Sequence, residues 1–173
     1  MIYEPEEDTY FLMNNIKTLV KSRKFRNVLE IGTGTGIISF NIAKYVEKIL
    51  AVDINPEAVK LCEKNKKRFK FKNIEFRISN LFENIYEKSD LIFFNPPYLP
   101  VKEDLCWSGG KNGEEIIIKF LEKVASHLNK NGIAVILLSS FNDIKKLKHK
   151  YKLKLIDKKK LWFEELYCFK KEI

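Results

Sequence analysis

Val28-Leu29-Glu30-Ile31-Gly32-Thr33-Gly34-Thr35-Gly36 is an aliphatic run that breaks into three alternating glycines. Aliphatic residues in a short bounded run read as a buried strand, and the glycines supply the positive φ of a tight turn opening a helix from about Gly36 to Tyr45. Working outward, Ile49-Leu50-Ala51-Val52-Asp53 reads as a second strand. Asn55-Pro56-Glu57 after it is a helix-start signal with proline in the first turn, predicting a helix to about Phe69. Upstream, a helical period covers Glu7 to Val20. Downstream, strands are expected at Ile74 to Ile78 and Asp90 to Phe94, then a helix from Gly113 to Leu128. A strand from Ile133 to Leu138 should follow the Asn131-Gly132 turn, and a further helix should lead to two closing strands, Lys152 to Asp157 and Leu161 to Phe169. Strands alternating with helices imply an α/β fold with a parallel sheet covered on both faces and right-handed crossovers. Ligands of such sheets bind beyond the carboxyl ends of the strands.

The 173 residues and 45% apolar content suit one domain over residues 1–173. No apolar run approaches the roughly 20 residues of a membrane span, and Met1-Ile2-Tyr3-Glu4-Pro5-Glu6-Glu7-Asp8 is acidic where a signal peptide is basic, so no membrane association and a cytoplasmic location are expected. Cys62, Cys106 and Cys168 are widely spaced and form no Cys-x-x-Cys pair. With His127 at an expected helix end and His149 inside a lysine run, neither a disulfide framework nor a metal is expected. Net charge is +9, but only Arg23, Arg26, Arg68 and Arg77 are arginine. Arginine is preferred for bidentate phosphate contact, so the lysine bias favours a solvated surface over a nucleic-acid clamp. Basic stretches such as Lys145 to Lys160 remain able to steer an anionic partner.

The glycine turn departs from the dinucleotide spacing Gly-x-Gly-x-x-Gly, its third glycine coming one residue early, and Glu30 sets a carboxylate where a diphosphate would be repelled. A cationic, phosphate-free cofactor fits better, and S-adenosylmethionine has a sulfonium, an amino-acid head and a ribose whose two hydroxyls Asp53 can bind. Ser79-Asn80-Leu81-Phe82, after the third strand, offers a polar group for an adenine amino group and an apolar one for its face.

Asn95-Pro96-Pro97-Tyr98 closes the apolar run Leu91-Ile92-Phe93-Phe94. The Asn95 amide oxygen and the Pro96 carbonyl are two acceptors able to hold one flat NH2 group, and the consecutive prolines fix their geometry. Tyr98 offers a ring face to a planar group. With the cofactor above, this points to methyl transfer onto a planar nitrogen. Leu99 to Asn112, containing Gly109-Gly110, is a candidate lid.

Glu30 to Gly36, Asp53-Ile54-Asn55-Pro56-Glu57-Ala58 and Asn95 to Tyr98, in that order, resemble the HemK-type release-factor glutamine methyltransferases. Tyr3-Glu4-Pro5-Glu6-Glu7-Asp8-Thr9 and Trp107-Ser108-Gly109-Gly110-Lys111-Asn112-Gly113 resemble the entry segment and the loop of the short archaeal and eukaryotic branch, which lacks the bacterial N-terminal helical domain. The resemblance implies a Rossmann-like class I methyltransferase fold: a mostly parallel seven-stranded sheet with helices on both faces and an antiparallel last strand. It also implies N5-methylation of the glutamine in the Gly-Gly-Gln motif of a peptide-chain release factor. Thr9, Glu30, Gly32, Gly34, Asp53, Asn80, Leu81 and Asn95 would contact S-adenosylmethionine. Asn95, Pro96, Pro97, Tyr98 and Trp107 would hold the target amide, with Asn95, Pro96 and Tyr98 at the chemistry. Asn80 stands where relatives usually carry aspartate. A small zinc-binding activator subunit is a possible partner, and nucleic acid is not required. Three readings compete. N6-adenine or guanine-N2 methylation of DNA or RNA uses similar planar amines, but no surface is left over for flipping a nucleotide. Lysine methylation needs a deprotonated amine, for which Tyr98 is the only nearby helper. The remaining reading is a non-catalytic subunit that binds the cofactor.

Overall fold

The computed structural model of the chain describes residues 2–97 and 114–173. Helix α1, Glu7–Ser22, forms where Phe11, Leu12, Ile16 and Val20 recur at helical spacing and are buried. Strand β1, Asn27–Ile31, runs through the glycine turn into the short α2, Ile37–Ile42, whose last turn tightens into a 3-10 helix at Ala43–Tyr45. Strand β2, Lys48–Asp53, precedes α3, Pro56–Phe69, which Asn55 caps by accepting the Glu57 N–H at 3.0 Å. There follow β3, Ile74–Ile78, β4, Ser89–Phe94, α4, Glu115–Lys123, a 3-10 turn at Val124–His127, and β5, Leu128–Ser139. Helix α5, Ile144–Tyr151, is capped by Asp143 accepting the Lys146 N–H, and the hairpin of β6, Lys154–Lys160, and β7, Glu165–Glu172, follows.

The strands form one seven-stranded sheet in the order β3-β2-β1-β4-β5-β7-β6, in which β7 alone runs opposite to the other six. Alternation along the inner strands feeds two cores. Val28, Ile49, Ala51, Leu91 and Phe93 join the layer containing α1 residues, while Leu29, Ile31, Leu50, Val52, Ile92 and Phe94 join the layer of α4 and α5. This is the expected α/β class. None of the described helices is long and apolar enough to cross a membrane.

The structure corrects the expectation at three places. The closing strands are displaced toward the C-terminus, because Leu161-Trp162-Phe163-Glu164 is the turn between them, closed by the Leu161 N–H on the Glu164 carbonyl at 2.7 Å. Trp162 and Phe163, within the expected strand Leu161 to Phe169, are exposed at the tip of this turn, and Lys158 to Lys160 extend β6 because an edge strand tolerates lysine on both faces. The Asn131-Gly132 turn does not precede β5 but is absorbed within it. Ser89 pairs with Leu128 and Leu91 with Ile133, and Asn131 takes the left-handed conformation that such a bulge requires. Helix α4 ends sooner than its apolar period suggests, giving way to the 3-10 turn.

Candidate active site

Register builds the site. Ile31 pairs with Val52 on one side and Phe94 on the other, so the residues that follow, Gly32, Asp53 and Asn95, leave three adjacent strands side by side, roughly 4.8 Å apart from strand to strand. Gly36 lies at φ +79°, and a Cβ there would stand 2.8 Å from the Phe40 ring and 2.9 Å from the Cys62 sulfur. The turn therefore packs too closely on α2 and α3 for any other residue.

Above these strand ends opens a cavity of about 820 Å³. Thr9, Glu30, Gly32, Gly34, Asp53, Asn80, Leu81, Asn95, Pro96 and Pro97 all line it. Tyr98, Trp107 and the candidate lid, residues 99–112, lie outside the described residues. The ionisable side chains of the lining, apart from the Tyr3 phenol, are Glu6, Asp8, Glu30, Asp53 and Glu164, so in a chain of net charge +9 the described wall carries carboxylates and no lysine, arginine or histidine. Such a wall suits a cationic, phosphate-free ligand and repels a diphosphate, which fits S-adenosylmethionine.

Within the wall, Glu30 is buried and its Oε2 accepts the Thr33 hydroxyl at 2.8 Å and the Ser39 hydroxyl. Burial pushes its carboxyl up to about 7, against the pull of those two donors. Asp53 Oδ2 accepts the Gly34 N–H at 2.8 Å and Oδ1 the Asn55 N–H at 2.9 Å. Each oxygen keeps a lone pair for a further donor, as pairing with a diol requires. Asn80 donates its NH2 to Glu83 at 2.9 Å, which turns its amide oxygen into the remaining acceptor. Leu81 beside it lies at φ +50°, unusual for a residue with a Cβ, in a turn held by the Ser79 hydroxyl donating to its carbonyl at 2.9 Å.

Asp8 is the residue the sequence did not single out. Buried at the start of α1, it accepts the Asn95 NH2 on Oδ2 at 3.0 Å, and on Oδ1 the Tyr3 hydroxyl at 2.8 Å and the Thr9 N–H at 2.6 Å. Burial and the Asp8 carboxylate hold the Tyr3 phenol well above its ordinary range, so Tyr3 stays a donor. Asp8 thereby fixes the Asn95 amide with its NH2 inward, and Asn95 Oδ1 is buried with no hydrogen-bond partner among the described residues. Glu164 and Phe163, from the β6–β7 turn, also line the cavity and were not foreseen. The only signal for Asp8 was its place in the Tyr3-to-Thr9 segment, and Glu164 had none.

Comparison with known proteins agrees with this geometry. The model of the methyltransferase small domain family matches residues 4–160. A Methanocaldococcus jannaschii protein, named a candidate protein N5-glutamine methyltransferase, is 42% identical over 179 residues, covering 95% of this chain and 88% of that protein. The human methyltransferase HEMK2 is 31% identical over 148 residues, covering 76% of this chain and 69% of its own. Among solved structures, a chain of the E. cuniculi Mtq2–Trm112 complex, described as responsible for methylation of the translation termination factor eRF1, superposes with a TM-score of 0.81 at 25% identity over 99% of this chain and 98% of that one. With Gly32, Asp53 and Asn95 in a strand-end row beneath an acidic cavity, on a sheet shared with the Mtq2 chain, the family match over residues 4–160 and the 42% identity establish that the chain belongs to the methyltransferase small domain family, in its HemK-type branch.

Proposed function

We propose that residues 1–173 form a single S-adenosylmethionine-dependent methyltransferase domain that methylates the side-chain N5 of the glutamine in the Gly-Gly-Gln motif of a peptide-chain release factor, in the cytoplasm. The observation that carries this reading is Asn95 Oδ1, a buried acceptor with no partner among the described residues, on a cavity-lining side chain whose NH2 is held by Asp8. A buried acceptor left unpaired costs about 1–3 kcal/mol, which a ligand bearing an N–H recovers. A primary amide supplies two such donors in one plane, matching Asn95 Oδ1 and the neighbouring Pro96 carbonyl.

S-adenosylmethionine supplies an electrophilic methyl group on sulfur. Asp53 would hold its ribose, Asn80 and Leu81 its adenine, and Thr9, Glu30, Gly32 and Gly34 its amino-acid end, the carboxylates offsetting its positive charge. Asn95 and Pro96 orient the target NH2, and such alignment contributes at most about 7–11 kcal/mol. The Asp8 carboxylate polarises the Asn95 amide from behind, so that Oδ1 opposes the positive charge that develops on the nitrogen. Tyr98 would give the amide a ring face, and Trp107 would add a further contact. The relatives support an activator too: the chain similar to this one is in complex with Trm112, so a small zinc-binding subunit is proposed as a partner.

The test is label transfer from radioactive S-adenosylmethionine to a purified release factor, to its Gly-Gly-Gln variant with Gln→Ala, and to total RNA and DNA, each with and without the activator. Label on the factor that vanishes with the Gln→Ala change is the expected result. Label on nucleic acid alone, or on lysine, refutes the reading, and binding without any transfer makes the chain a non-catalytic subunit.

A further inference from the structure

Among the described residues, two buried side-chain polar atoms have no hydrogen-bond partner, Asn95 Oδ1 and Glu164 Oε1, and both residues line the same cavity. Buried acceptors are normally satisfied, and two orphans in one wall mark places where a ligand brings donors. Their positions in the sheet differ. Asn95 follows β4, whereas Glu164 ends the turn between β6 and β7, at the other end of the sheet from β2 and β3. The glycine turn and Asp53 follow β1 and β2 and so lie across Asn95 from Glu164, whereas Thr9 stands on the Glu164 side, at the start of α1 where Glu7 pairs with Lys159 of β6 at 3.1 Å. A ligand whose amide rests on Asn95 and whose chain runs toward Glu164, away from the glycine turn and Asp53, is the acceptor substrate in this arrangement.

The same turn carries apolar surface. Trp162 is fully exposed and Phe163 largely so, and Phe163 lines the cavity beside Glu164. Aromatic side chains held out on a tight turn at the mouth of a cleft suit contact with a polypeptide. A phosphodiester chain would instead meet Glu6, Asp8 and Glu164 along this wall.

We propose that Glu164 is a second anchor for the acceptor polypeptide. Its carboxylate accepts a backbone N–H of the segment next to the target glutamine, while Phe163 and Trp162 pack against that segment. A carboxylate is an acceptor only, and its bonds to N–H groups are charge-assisted. Glycines beside the glutamine leave their N–H groups unobstructed by a Cβ. The inference rests on the glutamine reading above and adds to it the residue that positions the main chain.

The test uses the full chain with the activator present in every reaction, and compares wild type, Glu164→Gln and Glu164→Ala. Steady-state label transfer gives KM for the release factor and kcat at saturating cofactor, calorimetry gives Kd for S-adenosylhomocysteine, and thermal melts report folding. Glu164→Ala should raise KM for the factor by about tenfold or more, and Glu164→Gln, which keeps an acceptor but loses the charge, by about threefold. The cofactor Kd should not move. A KM at the wild-type value in Glu164→Ala, or in Glu164→Gln where the alanine variant does not fold, overturns the inference alone, as does a parallel loss of cofactor affinity. A wild-type chain that labels no glutamine refutes the glutamine reading and removes this inference with it.

Discussion

Asp8→Asn is the most informative perturbation of the site, because it changes one oxygen to nitrogen and should reverse the polarity of a different residue. In the wild type, Oδ1 of Asp8 gathers the Tyr3 hydroxyl and the Thr9 N–H, and Oδ2 takes the Asn95 NH2 at 3.0 Å. An amide at position 8 keeps its oxygen where those two donors converge and so turns its NH2 toward Asn95. Two NH2 groups cannot face each other, and Asn95 flips. Its own NH2 then stands where Oδ1 stood, and the target amide loses an acceptor and meets a donor. Removing one preorganised group of this kind costs about 10²–10³ in kcat. We expect kcat for release-factor methylation to fall by about a hundredfold, equivalent to about 2.7 kcal/mol. Cofactor affinity should stay within about threefold and stability within about 1 kcal/mol, because the flip re-forms the buried bond. Single-turnover label transfer at saturating cofactor, calorimetry with S-adenosylhomocysteine and thermal melts measure the three quantities. The double swap Asp8→Asn with Asn95→Asp restores both the inward bond and an acceptor in the cavity, and should recover at least tenfold of the lost rate. A folded Asp8→Asn variant with kcat within threefold of wild type refutes the reasoning, and a double swap no faster than the single variant does the same.

Asn95→Ala should abolish label transfer while S-adenosylhomocysteine still binds; equal loss of both in a folded variant would sink its role at the target amide. Glu30 has a folded pKa raised to about 7 from an ordinary 4.5, so its contribution to stability is fully present below about pH 4.5 and is lost as pH rises through 7. Glu30→Gln keeps an oxygen for Thr33 and Ser39 and has no charge to bury. In the cofactor-free protein its stability should match wild type near pH 4.5 and exceed it at pH 8.5 by an amount on the order of 3 kcal/mol, read as a higher melting temperature. A difference that does not change between the two pH values refutes the assignment. The same variant should bind the sulfonium cofactor more weakly, by titration calorimetry at pH 8. Gly36→Ala forces a Cβ against Phe40 and Cys62 at φ +79° and should cost about 1–3 kcal/mol, lowering the melting temperature by several degrees; an unchanged melting temperature would contradict the packing described for the turn.

The local chemistry is written in the order of the residues. Val28 to Gly36 specify strand, turn and helix within nine residues, because aliphatic side chains favour a pleated strand and only glycine takes the turn's left-handed angles at such close quarters. Asn55-Pro56 caps its helix for equally local reasons, and the strand ends that hold Gly32, Asp53 and Asn95 were legible once the elements were. Whatever depends on register and burial arises only in the folded chain. The Asp8–Asn95 bond joins residues 87 apart in sequence, and nothing near either one encodes which way the amide turns. Leu161-Trp162-Phe163 has the composition of a strand, yet the pairing of β6 with β7 places it at a turn and brings Glu164 to the cavity wall. Whether a polar atom is satisfied or left waiting for a ligand is a property of everything packed around it, and only the folded chain assembles those neighbours.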